Sequence, residues 1–447
     1  MAEPFPGFRF AGIEDVERLG YGVEENARRL HRLAYIERQL MFTAAGHLLS
    51  IPDWESKHLL ARHLYEDAEH HEMLRTRISE LRRSEKSVDA SPDDRLTALM
   101  DEVIRAEDAI ELLTGVYSVI KPALIAAYKA HLAAINPLVD YPTGRTLRAL
   151  LAEEEEQTAL GQRYLSELVS RADEAQARSA TWAAHVEAYL DAAGGIAGDA
   201  ARSADVALPA ARSDGQPWVM PQQSGRDARF RSSVPKPPTV FVPERGDTVR
   251  EGLEQMMWVR FHEMSPAETV AAIMTLEKGH PWGFYRDLAR HCWDEVRHSA
   301  FGQAALQAEG IDITSNPNWT GFATMCLSEL NPIEAYTHLT VAIEQAAMKY
   351  PPGKRQEYEF CRDKAQHALM ALYQDYDWAD EVLHSHFGQE WIVKREYGGD
   401  RRAAIAAGES TMDRRIGFMA QFSTDGAVPD PYAGRRGTPD KGTASGY

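Results

Sequence analysis

Two five-residue stretches are the most informative for the fold of this chain: Asp294-Glu295-Val296-Arg297-His298 and Asp380-Glu381-Val382-Leu383-His384. Both lie in segments rich in good helix formers, and each places a glutamate three residues before a histidine. Residues three apart lie on one face of an α-helix, so each Glu–His pair can converge on a metal ion. Asp294 and Asp380 directly precede the two glutamates, where each could accept a hydrogen bond from a ligand imidazole.

A site for two metal ions in a helical bundle needs one further glutamate from each of two other helices. Glu263 lies 32 residues before Glu295, which suits an antiparallel helical hairpin, and Glu334 lies 47 residues before Glu381. The alternatives are Glu268 for the first position, and Glu344 or Glu329 for the second. Four carboxylates and two imidazoles suit iron, or manganese, better than a metal that prefers thiolates. The predicted ligands are Glu263, Glu295, His298, Glu334, Glu381 and His384.

An internal repeat supports this pattern. Residues 61–71 read Ala-Arg-His-Leu-Tyr-Glu-Asp-Ala-Glu-His-His, and residues 289–299 read Ala-Arg-His-Cys-Trp-Asp-Glu-Val-Arg-His-Ser, at an offset of 228 positions. Gly161-Gln162 and Gly388-Gln389 match at an offset of 227. Repeats of this kind indicate duplicated structural units, so we expect the two halves of the chain to share one fold.

At these residues the second half resembles the ferritin-like di-iron carboxylate superfamily. The Asp-Glu-x-Arg-His form of the first motif is especially similar to methane monooxygenase hydroxylases, ribonucleotide reductase small subunits and acyl-carrier-protein desaturases. The resemblance covers about residues 250–400 at the level of motifs. It implies a di-iron centre held by the six predicted ligands, and it implies activation of dioxygen.

The first half departs from the pattern. Its equivalent residues would be Glu37, Asp67, His70, Glu107, Glu154 and Gln157. Gln157 stands where the second half has a ligand histidine, and the side chain of Asp67 is one methylene shorter than that of glutamate. We therefore expect a degenerate copy that supports the fold or shapes a substrate pocket and binds at most one metal ion.

The net charge, the cysteines and the lengths of apolar runs argue against several classes of partner and location for this protein. The formal net charge is −18, from 49 basic and 67 acidic residues, which argues against a nucleic-acid partner and against anionic membrane surfaces. Three cysteines form no Cys-x-x-Cys pair, as expected for the reducing cytoplasm. We find no signal peptide and no apolar run approaching about 18 residues, so no membrane span is expected.

The helical patterning predicts an all-α protein made of two ferritin-like four-helix bundles in tandem. The predicted ranges are 1–193 for the bundle with the degenerate site, 194–247 for an irregular linker, 248–423 for the di-metal bundle and 424–447 for a disordered tail. The principal predicted helices cover 23–51, 54–85, 93–134, 143–171, 248–278, 282–309, 332–350 and 355–397.

The expected function is a non-haem di-iron oxidase or oxygenase that uses dioxygen to hydroxylate, desaturate, N-oxygenate or oxidatively cleave a small organic substrate. No nicotinamide, flavin or iron–sulfur motif is visible, so electrons would come from a separate donor or from the substrate. The alternatives are iron handling or peroxide reduction, and a metal-bound scaffold without catalysis. The sequence leaves open the substrate, iron versus manganese, and whether the chain forms a homodimer.

Overall fold

A computed structural model describes residues 6–199, 207–213, 216–235, 248–349 and 353–422. Helices account for 74% of the protein and strands for 1%, which confirms the all-α prediction. Much of the predicted linker and the predicted tail at 424–447 lie outside the described residues.

The described residues divide into two compact units. Unit 1 comprises Met1–Ala44 and Arg62–Val219, and unit 2 comprises Ala45–Ala61 and Met220–Tyr447. Unit 2 is thus discontinuous in sequence, because the segment 45–61 belongs with the second half of the chain. The ranges expected for two consecutive bundles stay a prediction.

The described part of the first half contains eight α-helices. They are α1 (Val23–Leu48), α2 (Trp54–Glu80), α3 (Glu85–Asp89), α4 (Asp94–Val103), α5 (Ala109–Leu113), α6 (Lys121–Ala134), α7 (Tyr141–Val169) and α8 (Asp173–Ala192). The helix expected over 93–134 is interrupted, because Asp108 caps a new helix by accepting from the Glu111 backbone N–H. A π-helical segment, Thr114–Ile120, then joins α5 to α6.

Nine α-helices and two short strands make up the regular structure described in the second half. The helices are α9 (Val249–Phe261), α10 (Met264–Leu276), α11 (Trp282–Ala308), α12 (Gly321–Glu329), α13 (Pro332–Thr337), α14 (Gln345–Lys349), α15 (Lys354–Glu359), α16 (Ala368–Phe387) and α17 (Arg401–Ala420). The strands β1 (Ser232–Ser233) and β2 (Asn318–Trp319) pair in parallel, with Ser232 opposite Asn318. The helix predicted over 248–278 breaks between α9 and α10, which places Glu263 at the junction.

Three π-helical segments also occur among the described residues of the second half: His338–Glu344, Phe360–Lys364 and Gly388–Glu396. The first occupies a place comparable to Thr114–Ile120 in the first half. In each half the repeat glycine packs against this segment, Gly161 against Tyr117 and Gly388 against Thr340. A π-turn inserts an extra residue into a helix and so changes which side chains face inward beyond it.

Among the described residues, one continuous helical stretch, Ala109–Ala134, is long and apolar enough to cross a membrane by length and composition alone. Its most apolar window is 61% buried inside the structure, as expected for a core helix, so this is weak evidence for a membrane span.

Candidate metal centre

Helices α11 and α16 hold the two Glu–His motifs of unit 2 against each other through crossed hydrogen bonds. His298 Nε2 lies 3.2 Å from Asp380 Oδ2, and His384 Nε2 lies 3.3 Å from Asp294 Oδ2. Each aspartate therefore accepts from the imidazole of the opposite helix, which is the hydrogen bond expected for this pair of acids. Arg297 Nη1 reaches both acids, at 2.5 Å from Asp294 and 3.1 Å from Asp380.

These hydrogen bonds orient both imidazoles inward. With Nε2 as the donor, Nδ1 is the ring atom left with a lone pair. His298 Nδ1 lies 3.4 Å from Glu263 Oε2 and 3.4 Å from Asp377 Oδ1, while His384 Nδ1 lies 3.7 Å from Glu295 Oε1. A second-helix acid that fixes the orientation of a ring is a common support for a metal-binding histidine.

One group of potential ligands consists of His291, Glu295, Glu344 and His384. All four are buried, and one ligand atom from each lies within 4.8 Å of the others. His291 Nε2 is 2.9 Å from Glu344 Oε1 and 3.4 Å from Glu295 Oε1. Its ring stacks on that of His384 with centroids 3.8 Å apart. Burial lowers the pKa of His291, but Glu344 and Glu295 outweigh it and raise the pKa to about 10.

A second group adjoins the first. Glu263, Glu295 and His298 form one set within 4.8 Å, and His298, Asp377 and Glu381 form another. Glu295 belongs to both the first group and the second group. His298 belongs to both sets of the second group. The arrangement therefore offers two adjacent positions for a cation, with the Glu295 carboxylate common to them.

Two basic side chains contact the outer carboxylates of the second group. Arg260 Nη1 lies 2.5 Å from Asp377 Oδ1 and 2.8 Å from Glu263 Oε1. Lys354 Nζ lies 2.9 Å from Asp377 Oδ2 and 2.8 Å from Glu381 Oε1. Burial raises the pKa of Asp377, but Arg260 and Lys354 overcome this and hold it well below its usual value.

Five of the six predicted ligands come together in this way: Glu263, Glu295, His298, Glu381 and His384. Glu334 does not. Its carboxylate accepts the Asn331 backbone N–H in a capping box at the start of α13, pairs with Arg414 at 2.9 Å and is 38% exposed. The alternative, Glu344, occupies the place expected for Glu334.

The two remaining candidate glutamates, Glu268 and Glu329, lie away from the ligand groups. Glu268 is fully buried, but its carboxylate is neutralised by Lys57 at 2.8 Å and by a close contact with Arg226. Ser224 also donates to Glu268 at 3.0 Å. Glu329 belongs to none of the ligand groups among the described residues.

Besides Glu344, which was an alternative, two members of the groups were not among the predicted ligands: His291 and Asp377. The signal for His291 lies in the repeat itself, because Ala-Arg-His occurs at 61–63 and again at 289–291. Asp377 precedes Glu381 by one helical turn, which leaves its orientation open at the level of sequence.

The side chains fit a pair of metal ions because several buried polar atoms face inward without a hydrogen-bond partner. These atoms are Glu263 Oε2, His298 Nδ1, Glu344 Oε2, Glu381 Oε2 and His384 Nδ1. Buried polar atoms are nearly always hydrogen-bonded, so five exceptions at one place call for a missing partner. Burial also raises the pKa values of Glu295 and Glu344, and raises that of Glu381 to about 7. A cation would stabilise the charged form of these carboxylates.

Unit 1 contains a corresponding cluster of Glu37, Asp67, His70 and Glu154, again with ligand atoms within 4.8 Å. Of the predicted equivalents, Gln157 lies beside this cluster, whereas Glu107 is 71% exposed. Lys121 reaches into the cluster from α6 and is fully buried. Burial lowers the pKa of Lys121, but Asp67 and Glu154 raise it above its usual value, so this side chain stays an ammonium.

Comparison with models of protein families, with curated proteins and with solved structures gave no match for this chain.

Proposed function

We propose that unit 2 is a non-haem di-iron oxidase or oxygenase that acts on a small organic substrate with dioxygen. The observation that carries the proposal is the set of five buried, inward-facing oxygen and nitrogen atoms that have no hydrogen-bond partner. They come from the α9–α10 junction, from α11, from the π-helical segment His338–Glu344 and from α16, and we infer that these elements form a ferritin-like four-helix bundle.

The ligands we assign differ from those of the sequence prediction at one position. Glu263, His298 and Glu381 would hold one ion with support from Asp377, and Glu344 and His384 would hold the other with His291 beside them. Glu295 would contact both. Hard oxygen donors with imidazole favour iron or manganese, and iron in its reduced state supplies the electrons with which dioxygen is activated.

The surrounding residues determine the charge and the water content of the site. Arg260 and Lys354 offset part of the negative charge of Glu263, Asp377 and Glu381. Asp294 and Asp380 keep the two imidazoles turned inward. Because these groups are buried, bulk water is excluded from them, which strengthens every electrostatic interaction in the site. Electrons beyond those of the metal would come from a separate donor or from the substrate.

Oxygen consumption by the iron-loaded protein tests the function. The protein is loaded with Fe²⁺ without oxygen and then mixed with dissolved dioxygen, whose uptake is followed with an electrode. We expect rapid uptake by the wild type and by Glu334→Ala, and a loss of at least about tenfold in rate for Glu344→Ala, by analogy with the cost of disturbing metal ligands.

The pair Glu334 and Glu344 provides a matched control, because both are glutamates of the same region and only Glu344 reaches the ligand groups. Equal rates in the two variants would contradict the ligand assignment. Slow oxygen uptake with rapid consumption of hydrogen peroxide would favour peroxide reduction. Bound iron that reacts with neither oxidant would favour the scaffold.

A further inference from the structure

The cluster in unit 1 surrounds a single ammonium group. Lys121 Nζ lies 2.8 Å from Asp67 Oδ1, 2.9 Å from Glu154 Oε1 and 3.1 Å from Glu154 Oε2. It also donates to Gln157 Oε1 at 2.5 Å. Lys121 has none of its surface exposed, so these oxygens replace the water that would otherwise solvate the charge.

The oxygen and nitrogen groups around this ammonium correspond to those of the site in unit 2. At the repeat offsets of 226 to 228 positions, Glu37, Asp67, His70 and Glu154 match Glu263, Glu295, His298 and Glu381. The acidic residue that lies beside the histidine Nε2 also occupies matching positions in the two units. His70 Nε2 lies 3.0 Å from Glu153, and His298 Nε2 lies 3.2 Å from Asp380, which is the matching position.

The remaining ligand positions differ between the units. Gln157 occupies the position that matches His384. His63 and Tyr117 occupy the positions that match His291 and Glu344, and they form a hydrogen bond of 2.6 Å with each other. Unit 1 therefore retains the second group of ligands except for the counterpart of Asp377. Within it, Glu37 Oε2 is buried and has no hydrogen-bond partner, while Tyr128 donates to Glu37 Oε1.

We propose that Lys121 is an internal cation that takes the place of a divalent metal ion in unit 1 and closes a latent metal site formed by Glu37, Asp67, His70 and Glu154. Carboxylates that are buried in a protein interior need a compensating positive charge if the folded state is to be stable. Lys121 supplies it permanently, independent of the supply of metal. Unit 1 thereby keeps the fold of a metal-binding unit without binding metal.

Unit 2 also contains a lysine near its carboxylates, but its position differs. Lys354 contacts Asp377 and Glu381, and Asp377 has no acidic counterpart in unit 1, where the matching residue is Leu150. Lys121, in contrast, contacts the counterparts of Glu295 and Glu381, and Glu295 is the carboxylate common to both groups of ligands. The ammonium is therefore central in unit 1 and peripheral in unit 2.

The test is to remove the ammonium and measure the binding of Co²⁺ to the full-length chain by equilibrium dialysis and visible absorption. Lys121→Met keeps the length of the side chain without its charge, and we expect it to bind about one more Co²⁺ per chain than the wild type. Lys129→Met on the same helix is the control, because Lys129 is 55% exposed and pairs with the half-exposed Glu155, away from the cluster. It should leave the Co²⁺ count unchanged.

Adding His70→Ala to Lys121→Met should abolish the extra Co²⁺, which assigns the gain to unit 1. Because the readout is a difference between variants, it does not depend on how much metal unit 2 takes up, so this inference can fail while the proposed function stands. A folded Lys121→Met protein without extra Co²⁺ would overturn the inference.

Lys121→Met removes the buried ammonium that pairs with Asp67 and Glu154, so it should melt at a lower temperature in the presence of a chelator and recover when Co²⁺ is added. If it stays unfolded with and without Co²⁺, the inference is overturned. A second measurement needs no change at Lys121. His70→Ala alone should leave the metal content of the otherwise wild-type chain unchanged, and a loss of metal would show that the site is already open.

Discussion

His291 stabilises one side of the proposed metal centre through two contacts. It lies 2.9 Å from Glu344 and stacks on His384. We expect His291→Ala to weaken iron binding by about 10–100-fold, as the loss of such supporting residues commonly does. Competition with a chelator of known affinity measures the effect. His386→Ala, an exposed histidine on α16, should retain wild-type affinity, and equal affinities in the two variants would contradict the role of His291.

A buried histidine in unit 1 makes the stability of that unit depend on pH. His71 is fully buried and donates from Nδ1 to the Ala34 carbonyl at 2.7 Å. Burial, reinforced by Arg38, lowers its pKa to about 3. The unfolded chain, with a histidine pKa of about 6.5, therefore binds more protons, so stability is complete above that pH and falls as the pH decreases toward 3.

His71→Gln should reduce this acid sensitivity, because glutamine can still donate to Ala34 and does not titrate. We expect the melting temperature to fall less between pH 7 and pH 5 in this variant than in the wild type. The exposed His386→Gln should follow the wild-type profile. An unchanged slope in His71→Gln would show that protonation of His71 is unimportant in this range.

At individual positions the sequence was most informative where one helical turn determined the geometry. Both Glu-x-x-His pairs face the site as expected, because a spacing of three fixes a common face. The choice between Glu334 and Glu344 depended on a longer count along the chain. In the structure Glu334 caps α13, whereas Glu344 lies in a group of potential ligands at the end of the π-helical segment His338–Glu344. A π-turn changes which side chains face inward, so a count along the chain does not locate this ligand.

The repeat glycines control how closely helical elements approach. A Cβ at Gly388 would lie 2.7 Å from Thr340 Cβ and 2.8 Å from its Oγ1, inside the segment that ends at Glu344. We expect Gly388→Ala to lower the free energy of unfolding by about 1–3 kcal/mol, the usual cost of overpacking, and to displace Glu344. Gly417→Ala on α17 is the control, since no atom lies within 4 Å of its added Cβ.

Chemical unfolding and iron binding together test this prediction. Gly388→Ala should lose both stability and iron affinity, whereas Gly417→Ala should match or slightly exceed the wild-type stability, because alanine favours a helix. Wild-type iron affinity in Gly388→Ala would mean that the contact does not position Glu344.

At the scale of elements, hydrophobic period and turn residues predicted most long helices to within a few residues. α2 and α11 begin at the expected Trp54 and Trp282. The breaks were not predictable in the same way. The break at His262–Glu263 has a local cause, because Pro266 in the first turn of α10 cannot donate a backbone hydrogen bond and its ring would clash with the His262 carbonyl in a continuous helix. The π-turns leave no local signature, so they depend on packing between helices.

For the whole molecule, unit 2 depends on a segment far away in the sequence. Trp54 is buried against Phe230 and Phe261, and its indole N–H donates to Gln303 at 2.8 Å. Lys57 neutralises Glu268. A fragment beginning at residue 220 would lack these contacts, and loss of a buried tryptophan alone commonly costs about 3–5 kcal/mol.

We therefore expect the fragment 220–447 to melt well below the transition of unit 2 in the full-length chain, as followed by circular dichroism. Adding a peptide of residues 45–61 should raise its melting temperature. Full stability of the fragment on its own would show that the segment is dispensable. The sequence did not indicate this dependence. Hydrophobic periodicity predicts where a helix lies in the sequence, but it does not predict which compact unit the end of that helix packs into.

We infer that unit 2 binds two iron ions that share Glu295, and the iron content per chain after reconstitution and removal of free metal tests this inference. The wild type should contain about two irons per chain, the number that a bundle of this kind binds. Glu295→Ala should lose most of this iron, whereas Glu390→Ala, an exposed glutamate that follows α16, should retain it. Iron well below one per chain in the wild type, or an unchanged content in Glu295→Ala, would show that unit 2 does not hold two irons through Glu295.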